Sequence, residues 1–286
     1  MIGVDVGGTK ILAGVLDRAG AVERSVVHPT PAAGQDAVLD ALSGAVLELI
    51  DDRVLAVGFG IPSQIDQRTG RLGTSVNIPL SDVPFRSIMT ARLDRPVAID
   101  NDANVAAFAE WSAGAGKGSQ TMAMLTLGTG VGGGLVLAGR PYHGWAEVGH
   151  IVIKRDGLSC QGSCTGHGHL ESYASGVAAD RVAREHLGVD ATAPDLVRAR
   201  QPALREIGRY VGCGVATLVN LFDPEVVVVG GGFGVAAFDQ LLPGIRETLQ
   251  AEALQTAGEV PVVPAVLGAG AGLVGAALAA FDVLGP

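Results

Sequence analysis

The sequence predicts an α/β protein of two related domains, and two observations carry this prediction. Short apolar runs alternate with amphipathic stretches, and strand–helix–strand order is typical of a parallel sheet. The chain also repeats itself: DVGGTKILAGVLD and LGTGVGGGLVLAG each give an apolar strand, a glycine-rich turn containing threonine, and a second apolar strand. The 286 residues suit one large or two ordinary domains, and 48% hydrophobic content is ample for a sizeable core.

Composition and charge exclude several classes of protein. A net charge of −9, with 20 scattered Lys and Arg, argues against a nucleic-acid partner. No membrane helix is expected, because Gly or Asp interrupts the apolar runs well short of the roughly 20 residues that a span needs. Three cysteines do not form a closed disulfide set, and no signal-peptide pattern precedes MIGVDVGG. The expected location is the cytoplasm.

The first half is predicted to open with a β-meander. MIGVDVGGTKILAGVLD gives two strands around a turn, and residues 21–29 are consistent with a third strand. Residues 34–50 space their apolar side chains three and four apart, which predicts an amphipathic helix. RVLAVGFGIPSQID then predicts a buried strand, and PVAIDNDANVAAFAEW a strand whose end leads directly into a helix.

The second half restarts the pattern at residue 122 with the strand–turn–strand sequence MAMLTLGTGVGGGLVLAGRPY. PALREIGRYVGCGVATLVNLF predicts a helix, in which Cys213 is an ordinary core residue. DPEVVVVGGGFG predicts a buried strand that ends in three glycines. LGAGAGLVGAALAAFDVL predicts a helix of small residues that packs closely against a neighbouring element.

The first glycine turn is a candidate phosphate site. Gly7 and Gly8 lack Cβ atoms and let backbone approach phosphate oxygens, Thr9 offers a hydroxyl, and Lys10 adds positive charge. Asp5 would help to hold Mg²⁺ through a water. An ordinary tight hairpin is the alternative, and the turn matches neither the P-loop nor the dinucleotide-binding motif.

Two further glycine clusters follow apolar strands. The second, Gly128 to Gly134, supplies an equivalent cradle for phosphates, and the third, Gly230 to Gly232, would let a flat ligand such as adenine lie against bare backbone. The predicted nucleotide contacts in these clusters are Gly128, Thr129, Gly130, Gly132, Gly231 and Gly232.

Asn101 and Asp102 stand where a predicted strand meets a predicted helix. An aspartate in that place either caps the helix or acts as a general base that takes a proton from an attacking alcohol.

A cluster of nitrogen and sulfur ligands follows. His150, Cys160, Cys164 and His169 form a set that a structural Zn²⁺ would hold tetrahedrally, and His167 is a rival for the fourth position. The alternative is a loop with free thiols.

These motifs together resemble the ROK family of sugar kinases and transcriptional repressors over nearly the whole chain. The family's DxGGTK, NDAN, LGTGxGGG and ExGH segments correspond, in order, to Asp5–Lys10, Asn101–Asn104, Leu127–Gly134 and Glu147–His150. In the family's zinc motif, Cys160 and Glu171 keep their places, whereas His169 stands where the last cysteine usually does and Cys-x-x-x-Cys replaces Cys-x-Cys.

The resemblance implies an actin-like, ribonuclease-H-like fold of two domains with ATP and sugar in the cleft between them. The expected bounds are residues 1–102 plus roughly 271–286 for the small domain and 103–270 for the large one. Asp102 is expected to be the general base. The expected sugar-binding residues are Asn77, Asn101, Asp102, Glu147, His150 and Glu171, so that His150 would serve both sugar and zinc.

The activity that the resemblance implies is transfer of phosphate from ATP with Mg²⁺ to the 6-hydroxyl of glucose, in a homodimer with structural Zn²⁺. N-acetylmannosamine, N-acetylglucosamine, mannose or fructose are alternative sugars, and polyphosphate is an alternative donor. Ser63, where the family generally has Gly, and a shortened approach to Glu147 lie near the expected sugar. A sugar-responsive repressor is disfavoured, because the phosphate turn begins at residue 5 and leaves no helix-turn-helix before it.

Overall fold

The computed structural model describes residues 1–17, 20–75, 77–162, 164–254 and 259–284. The chain divides into two compact units. Unit 1 comprises Met1–Ala113, Tyr142–Trp145 and Ala269–Pro286, and unit 2 comprises Gly114–Pro141 and Ala146–Gly268. The expected domain bounds stay a prediction. Among the described residues, none of the helices has the length and apolar character that a membrane crossing requires.

Unit 1 is built on a five-stranded sheet with the order β3-β2-β1-β4-β7. Strand β1 pairs antiparallel with β2 and parallel with β4, and β4 pairs parallel with β7. The remaining two strands, β5 and β6, form a separate short hairpin. The bounds are β1 (Ile2–Val6), β2 (Lys10–Leu16), β3 (Val22–Pro29), β4 (Val57–Ile61), β5 (Ile65–Asp66), β6 (Arg71–Leu72) and β7 (Val97–Asn101).

Unit 2 repeats this sheet. Its strands are β8 (Met122–Leu127), β9 (Val131–Leu137), β10 (Arg140–Pro141), β11 (Val226–Gly230) and β12 (Val262–Pro264). They lie in the order β10-β9-β8-β11-β12, with an antiparallel hairpin followed by parallel pairs, as in unit 1. The internal repeat predicted from the two hairpin sequences is therefore confirmed at the level of sheet order.

The helices flank the two sheets. They are α1 (Gln35–Leu47), α2 (Phe85–Leu93), α3 (Asp102–Ala113), α4 (Glu171–Ala174), α5 (Gly176–Leu187), α6 (Ala193–Arg198), α7 (Ala203–Phe222), α8 (Gly232–Glu252) and α9 (Ala271–Asp282). The sequence predicted α1, α3, α7 and α9. It did not predict α2, α4, α5, α6 or α8.

Helix α9 is the predicted helix of small residues, and it belongs to unit 1. A Cβ atom at Gly58 of β4 would overlap the carbonyl of Ala276, and one at Gly3 of β1 would overlap the carbonyl of Leu273. Backbone therefore lies directly on backbone, which only glycine permits. The expected close packing is confirmed, and it fixes α9 against the two central strands of the sheet.

Each unit has its own apolar core. In unit 1 the largest buried side chains include Phe59 and Phe85, whose rings meet edge to face with centroids 5.1 Å apart. In unit 2, side chains of β8 and β11 pack against α7 and α8 around the fully buried Val211, Leu241 and Ile245. Both sheets are thus held rigidly, and the loops at their strand ends have fixed bases.

Candidate functional site

The carboxyl ends of the parallel strands in unit 1 form one edge of the sheet. Asp5 on β1 pairs in register with Gly60 on β4, and Gly60 pairs with Asp100 on β7. Asn101 follows at the last position of β7, and Asp102 begins α3. The structure thus gathers polar side chains at the edge where ligands bind in open α/β sheets.

The first glycine turn joins β1 to β2. The Gly7 N–H donates to the carbonyl of Lys10 over 2.9 Å, and the Thr30 hydroxyl donates to the carbonyl of Gly7 over 2.7 Å. Gly8, Thr9 and Lys10 are exposed. A Cβ atom on Gly8 would lie 3.2 Å from the carbonyl oxygen of Asn77. Asn77 therefore lies beside the turn, and its role as a sugar ligand stays a prediction.

Asp5 lies beneath this turn and is half-buried. Burial raises the pKa of its carboxyl group, and the charge of Lys10 opposes that rise. A Cβ atom on Gly272 of α9 would come within 2.6 Å of the Asp5 carboxyl carbon, so bare helix backbone borders the acid. A cation bound at this carboxylate would offset the cost of its burial, and in this respect Asp5 fits the Mg²⁺ role expected of it.

The corner between β7 and α3 carries the predicted base. The Ala103 N–H donates to Asn101 Oδ1 and to Asp102 Oδ1, each over 2.9 Å. Asn101 Nδ2 donates to the carbonyl of Ser63 over 3.3 Å. Asn101 therefore shares the capping role that the sequence placed on Asp102, and the assignment of Asp102 as a base stays a prediction.

Asp100 and His143 form an ion pair beside this corner that the sequence did not predict. Asp100 is buried, and its Oδ2 lies 2.6 Å from His143 Nδ1. The hydrogen bond that His143 donates to Asp100 raises the pKa of His143 above its ordinary value, although partial burial of the ring opposes the shift. The two residues stand 43 positions apart, so no local pattern joins them. A histidine in a short glycine-flanked loop is the only signal in the sequence.

In unit 2 the third glycine cluster lies next to the second. Gly230 at the end of β11 pairs in register with Thr126 of β8. Gly231 has a φ of +79°, and a Cβ atom there would overlap the carbonyl of Leu127. A Cβ atom on Gly232 would meet nothing within 4 Å. Glycine at 231 is therefore required by the fold, whereas the space above Gly232 is open.

The second glycine turn is braced by a carboxylate. The Val131 N–H donates to Glu171 Oε2 over 2.9 Å, and a Cβ atom on Gly130 would overlap that oxygen. Gln161 Nε2 donates to the carbonyl of Thr129 over 3.2 Å. Gly132, expected to contact the nucleotide, lies inside β9 rather than in the turn. Glu171, expected to bind sugar, therefore also supports the turn expected to bind phosphate.

The segment with Glu147 and His150 packs beside this turn. Glu147 is exposed and its carbonyl accepts the His150 N–H over 3.0 Å, closing a single 3₁₀ turn over Val148–His150. A Cβ atom on Gly149 would overlap the carbonyl of Val131, so the segment sits directly on the start of β9. This places His150, Glu171 and the second glycine turn in one neighbourhood of unit 2.

The predicted zinc ligands converge. Among the described residues, His150, Cys160, Cys164 and His169 each offer one ligand atom, and all four atoms lie within 4.8 Å of one another. His150 Nδ1 is 3.2 Å from His169 Nδ1 and 3.8 Å from Cys160 Sγ. In a tetrahedral zinc site the ligand atoms are about 3.3–3.8 Å apart. The donor set fits Zn²⁺, these two separations lie close to the tetrahedral range, and His167 is not a member of the set.

A short loop holds the two cysteines in place. Single β-bridges join Val152 to His169 and Ser159 to His167. The Cys160 N–H donates to the carbonyl of Gly166 over 2.8 Å. Burial, with the neighbouring Cys164, raises the pKa of the Cys160 thiol to about 11. Because a metal binds thiolate, metal binding here would be coupled to loss of that proton.

Known proteins are similar to this chain in sequence and in fold. A family model described as the ROK family matches residues 1–282. A glucokinase of Streptomyces coelicolor is 35% identical over 96% of both chains, and an N-acetyl-D-glucosamine kinase of Escherichia coli is 33% identical over 96% of this chain and 97% of that one. The solved structure of a ROK family glucokinase from Streptomyces griseus in complex with glucose and AMPPNP is 34% identical, covers 99% of both chains and superposes with a TM-score of 0.84. The predicted fold class, α/β with an actin-like architecture, is confirmed.

Proposed function

Because this chain belongs to the ROK family, we propose that it is an ATP-dependent kinase that phosphorylates the 6-hydroxyl of glucose. One observation carries the proposal: a single sheet edge in unit 1 gathers Asp5, the first glycine turn and the Asn101–Asp102 corner. An acid and a phosphate-binding turn at one edge are what phosphoryl transfer to an alcohol requires. The similarity to glucokinases over nearly the whole chain supports glucose as the acceptor.

In the proposed reaction Asp102 accepts the proton of the sugar hydroxyl while the oxygen of that hydroxyl attacks the γ-phosphorus of ATP. The new oxygen–phosphorus bond forms while the bond from that phosphorus to the bridging oxygen breaks, which leaves ADP. Thr9 and the N–H groups of the glycine turns donate to phosphate oxygens, and Lys10 adds positive charge. Mg²⁺, when bound near Asp5, would neutralise part of the charge on the phosphates.

The proposed sugar ligands are polar side chains around these elements. Asn77 beside the first turn and Asn101 at the corner would bind hydroxyls in unit 1. Glu147, His150 and Glu171 are the other proposed ligands of sugar hydroxyls, and Glu171 is already oriented by the Val131 N–H. His150 turns Nδ1 toward the cysteines, so Nε2 would remain for a sugar hydroxyl.

A structural zinc ion is the proposed occupant of the Cys/His cluster. Two thiolates and two imidazoles are donors that zinc prefers, and four protein ligands leave no open position for catalysis. The ion would fix the loop that ends at Glu171, two residues after His169. Its role is therefore to orient sugar ligands and not to take part in the transfer.

N-acetylglucosamine is a second candidate acceptor, and the similarity to an N-acetyl-D-glucosamine kinase favours it. The test is an ADP-release assay with Mg-ATP against glucose, N-acetylglucosamine, N-acetylmannosamine, mannose and fructose, recording kcat/KM for each. A preference for glucose is expected. A higher kcat/KM for N-acetylglucosamine would mean that this sugar, and not glucose, is the acceptor, and the proposed mechanism would stand. Activity only when polyphosphate replaces ATP would overturn the donor, and no phosphorylation with either donor would overturn the proposed function.

Homodimerisation and the cytoplasmic location stay predictions. Light scattering coupled to size-exclusion chromatography measures the first, since a dimer has twice the 28.9 kDa mass of the chain. The same measurement with and without glucose would show whether assembly depends on ligand.

A further inference from the structure

Residues Tyr142–Trp145 form a short segment, here called the strap. The residues on either side of it belong to unit 2, whereas the strap itself belongs to unit 1. Two side-chain bonds tie it to the corner between β7 and α3. His143 pairs with Asp100 at 2.6 Å, and Asn104 Nδ2 donates to the carbonyl of Gly144 over 3.2 Å.

The Asp100 carboxylate lies at the centre of the hydrogen bonds at this corner. Its Oδ1 accepts the Asn101 N–H over 2.7 Å and Asn104 Nδ2 over 2.9 Å, while Oδ2 receives His143. Both oxygens are therefore used, and the side chain is only 8% exposed. Removing a partner from a buried carboxylate leaves uncompensated charge, which is relieved when the carboxylate takes up a proton or when the side chain moves toward another partner. Either change alters the hydrogen bonds that Asp100 accepts.

Movement of Asp100 would be transmitted to the proposed base. Asp100 fixes the backbone N–H of Asn101, the residue immediately before Asp102, and it fixes Asn104 on the first turn of α3. The corner is thus bound on both sides of Asp102 by one carboxylate. A displacement of about 1 Å at a reacting group costs up to about 100-fold in rate.

We propose that His143 is a positioning residue for the phosphoryl transfer: through its ion pair with Asp100 it holds Asn101 and Asp102 in their catalytic orientation. This inference rests on the proposed function. His143 does not itself touch the reacting groups in this role. Because Asn101 is also a proposed sugar ligand, loss of His143 is expected to lower kcat more than it raises the KM for glucose.

The charges that face His143 are acidic. They are Asp100 from β7 and Asp282 from the end of α9. Asp100 raises the pKa of His143, so the ion pair is complete below the ordinary histidine value near 6.5 and is lost as the pH rises through the raised folded value. The wild-type kcat is therefore expected to fall as the pH rises through this raised value and His143 loses its proton.

The first experiment compares His143→Gln with wild type and with His143→Arg, which keeps a cationic donor. His143→Gln is expected to lower kcat about 10- to 100-fold, to raise the KM for glucose by a smaller factor and to remove the fall in kcat with rising pH, while His143→Arg recovers part of kcat. His28→Gln is the matched control, because His28 Nε2 also lies near a carboxylate, 3.0 Å from Glu48 Oε1, but on β3. An unchanged kcat and pH profile in His143→Gln would overturn the proposal, as would loss of thermal stability alone.

A second measurement needs no substrate and separates this proposal from the proposed function. The ¹H–¹⁵N resonance of the Asn101 amide is followed as pH is raised, in wild type and in His143→Gln. In wild type the resonance is expected to move with the titration of the His143 ring, and in the variant it should not. If the wild type phosphorylates no sugar, the proposed function fails. If the Asn101 resonance in wild type does not follow the titration of the His143 ring, the proposed positioning role is wrong.

Discussion

The two sheets of this protein share one strand order and differ in what they place at their carboxyl edges. In unit 1 that edge carries acids and amides: Asp5, Asp100, Asn101 and then Asp102. In unit 2 the equivalent edge carries glycine, with Gly230 to Gly232 following β11. The same scaffold therefore presents proton-accepting side chains in one copy and bare backbone in the other.

This difference shows how a repeated fold is divided between two chemical tasks. Carboxylates suit proton transfer and cation binding, and exposed N–H groups suit phosphate oxygens. The side chains that hold the two glycine turns also differ. The first glycine turn is held by the Thr30 hydroxyl, and the second by the carboxylate of Glu171. Four experiments test this division, from the largest expected effect to the smallest.

Replacing Asp102 by Asn is expected to have the largest effect. The amide keeps the size of the side chain and its bond from Ala103 but no longer accepts a proton, so kcat should fall about 10²- to 10⁴-fold. Calorimetry should still detect glucose binding. Asp36→Asn is the control, since Asp36 lies in the first turn of α1 and should leave kcat unchanged. Substantial turnover in Asp102→Asn would mean that the acidic edge of unit 1 does not supply the base.

Replacing Cys164 by Ser tests the proposed metal-binding loop of unit 2, a Cys/His cluster that the described part of unit 1 does not repeat. Loss of one thiolate should weaken zinc binding by more than about 100-fold, because changes to groups that only support metal ligands already cost 10- to 100-fold. Elemental analysis after dialysis measures the zinc content. Cys213→Ser in α7 is the control and should keep its metal. Equal zinc in both variants would contradict the Cys₂His₂ assignment.

Replacing Gly58 by Ala tests the contact of α9 with the sheet of unit 1. The new methyl group would overlap the Ala276 carbonyl, and the free energy of unfolding should fall by about 1–3 kcal/mol. Urea denaturation measures the change. Gly44→Ala within α1 meets no atom within 4 Å and should instead be neutral or stabilising by up to about 1 kcal/mol. An equally stable Gly58→Ala would mean that the helix and the sheet separate easily.

Replacing Gly232 by Ala tests whether bare backbone in unit 2 serves a ligand. The fold has room for the methyl group, so stability should not fall, whereas a nucleotide lying on this backbone would be pushed away. The KM for ATP is expected to rise about tenfold, or about 1.4 kcal/mol, with the KM for glucose unchanged. Gly44→Ala again serves as the control. An unchanged KM for ATP would remove the third glycine cluster from the nucleotide site.

The elements that the sequence predicted are those with strong local signals. The two hairpins combine apolar alternation with glycine turns, and α9 is a long run of small apolar residues. Helix α2 was missed because it has only nine residues, and two of them are arginines. Strand β12 was missed because three residues ending in proline do not resemble a strand.

The candidate site was predictable only where its residues are neighbours in sequence or share a motif. The Cys/His cluster was found because its spacing is itself a metal signal, and the structure brings all four ligands together. The pair of Asp100 and His143 has no such signal. The two residues are 43 positions apart in sequence and meet only when the strap packs against the end of β7. The sequence assigns no role to Gln161, because its bond to the Thr129 carbonyl depends on how the loop folds.

The position of α9 has a consequence for the order in which the protein assembles during synthesis. The glycine-lined face of β1 and β4 is made early, but the helix that covers it leaves the ribosome only after all of unit 2. At typical rates of translation that interval lasts roughly 10–30 s. For that time the nascent first sheet carries an uncovered apolar surface, and unit 2 is free to complete its own core first.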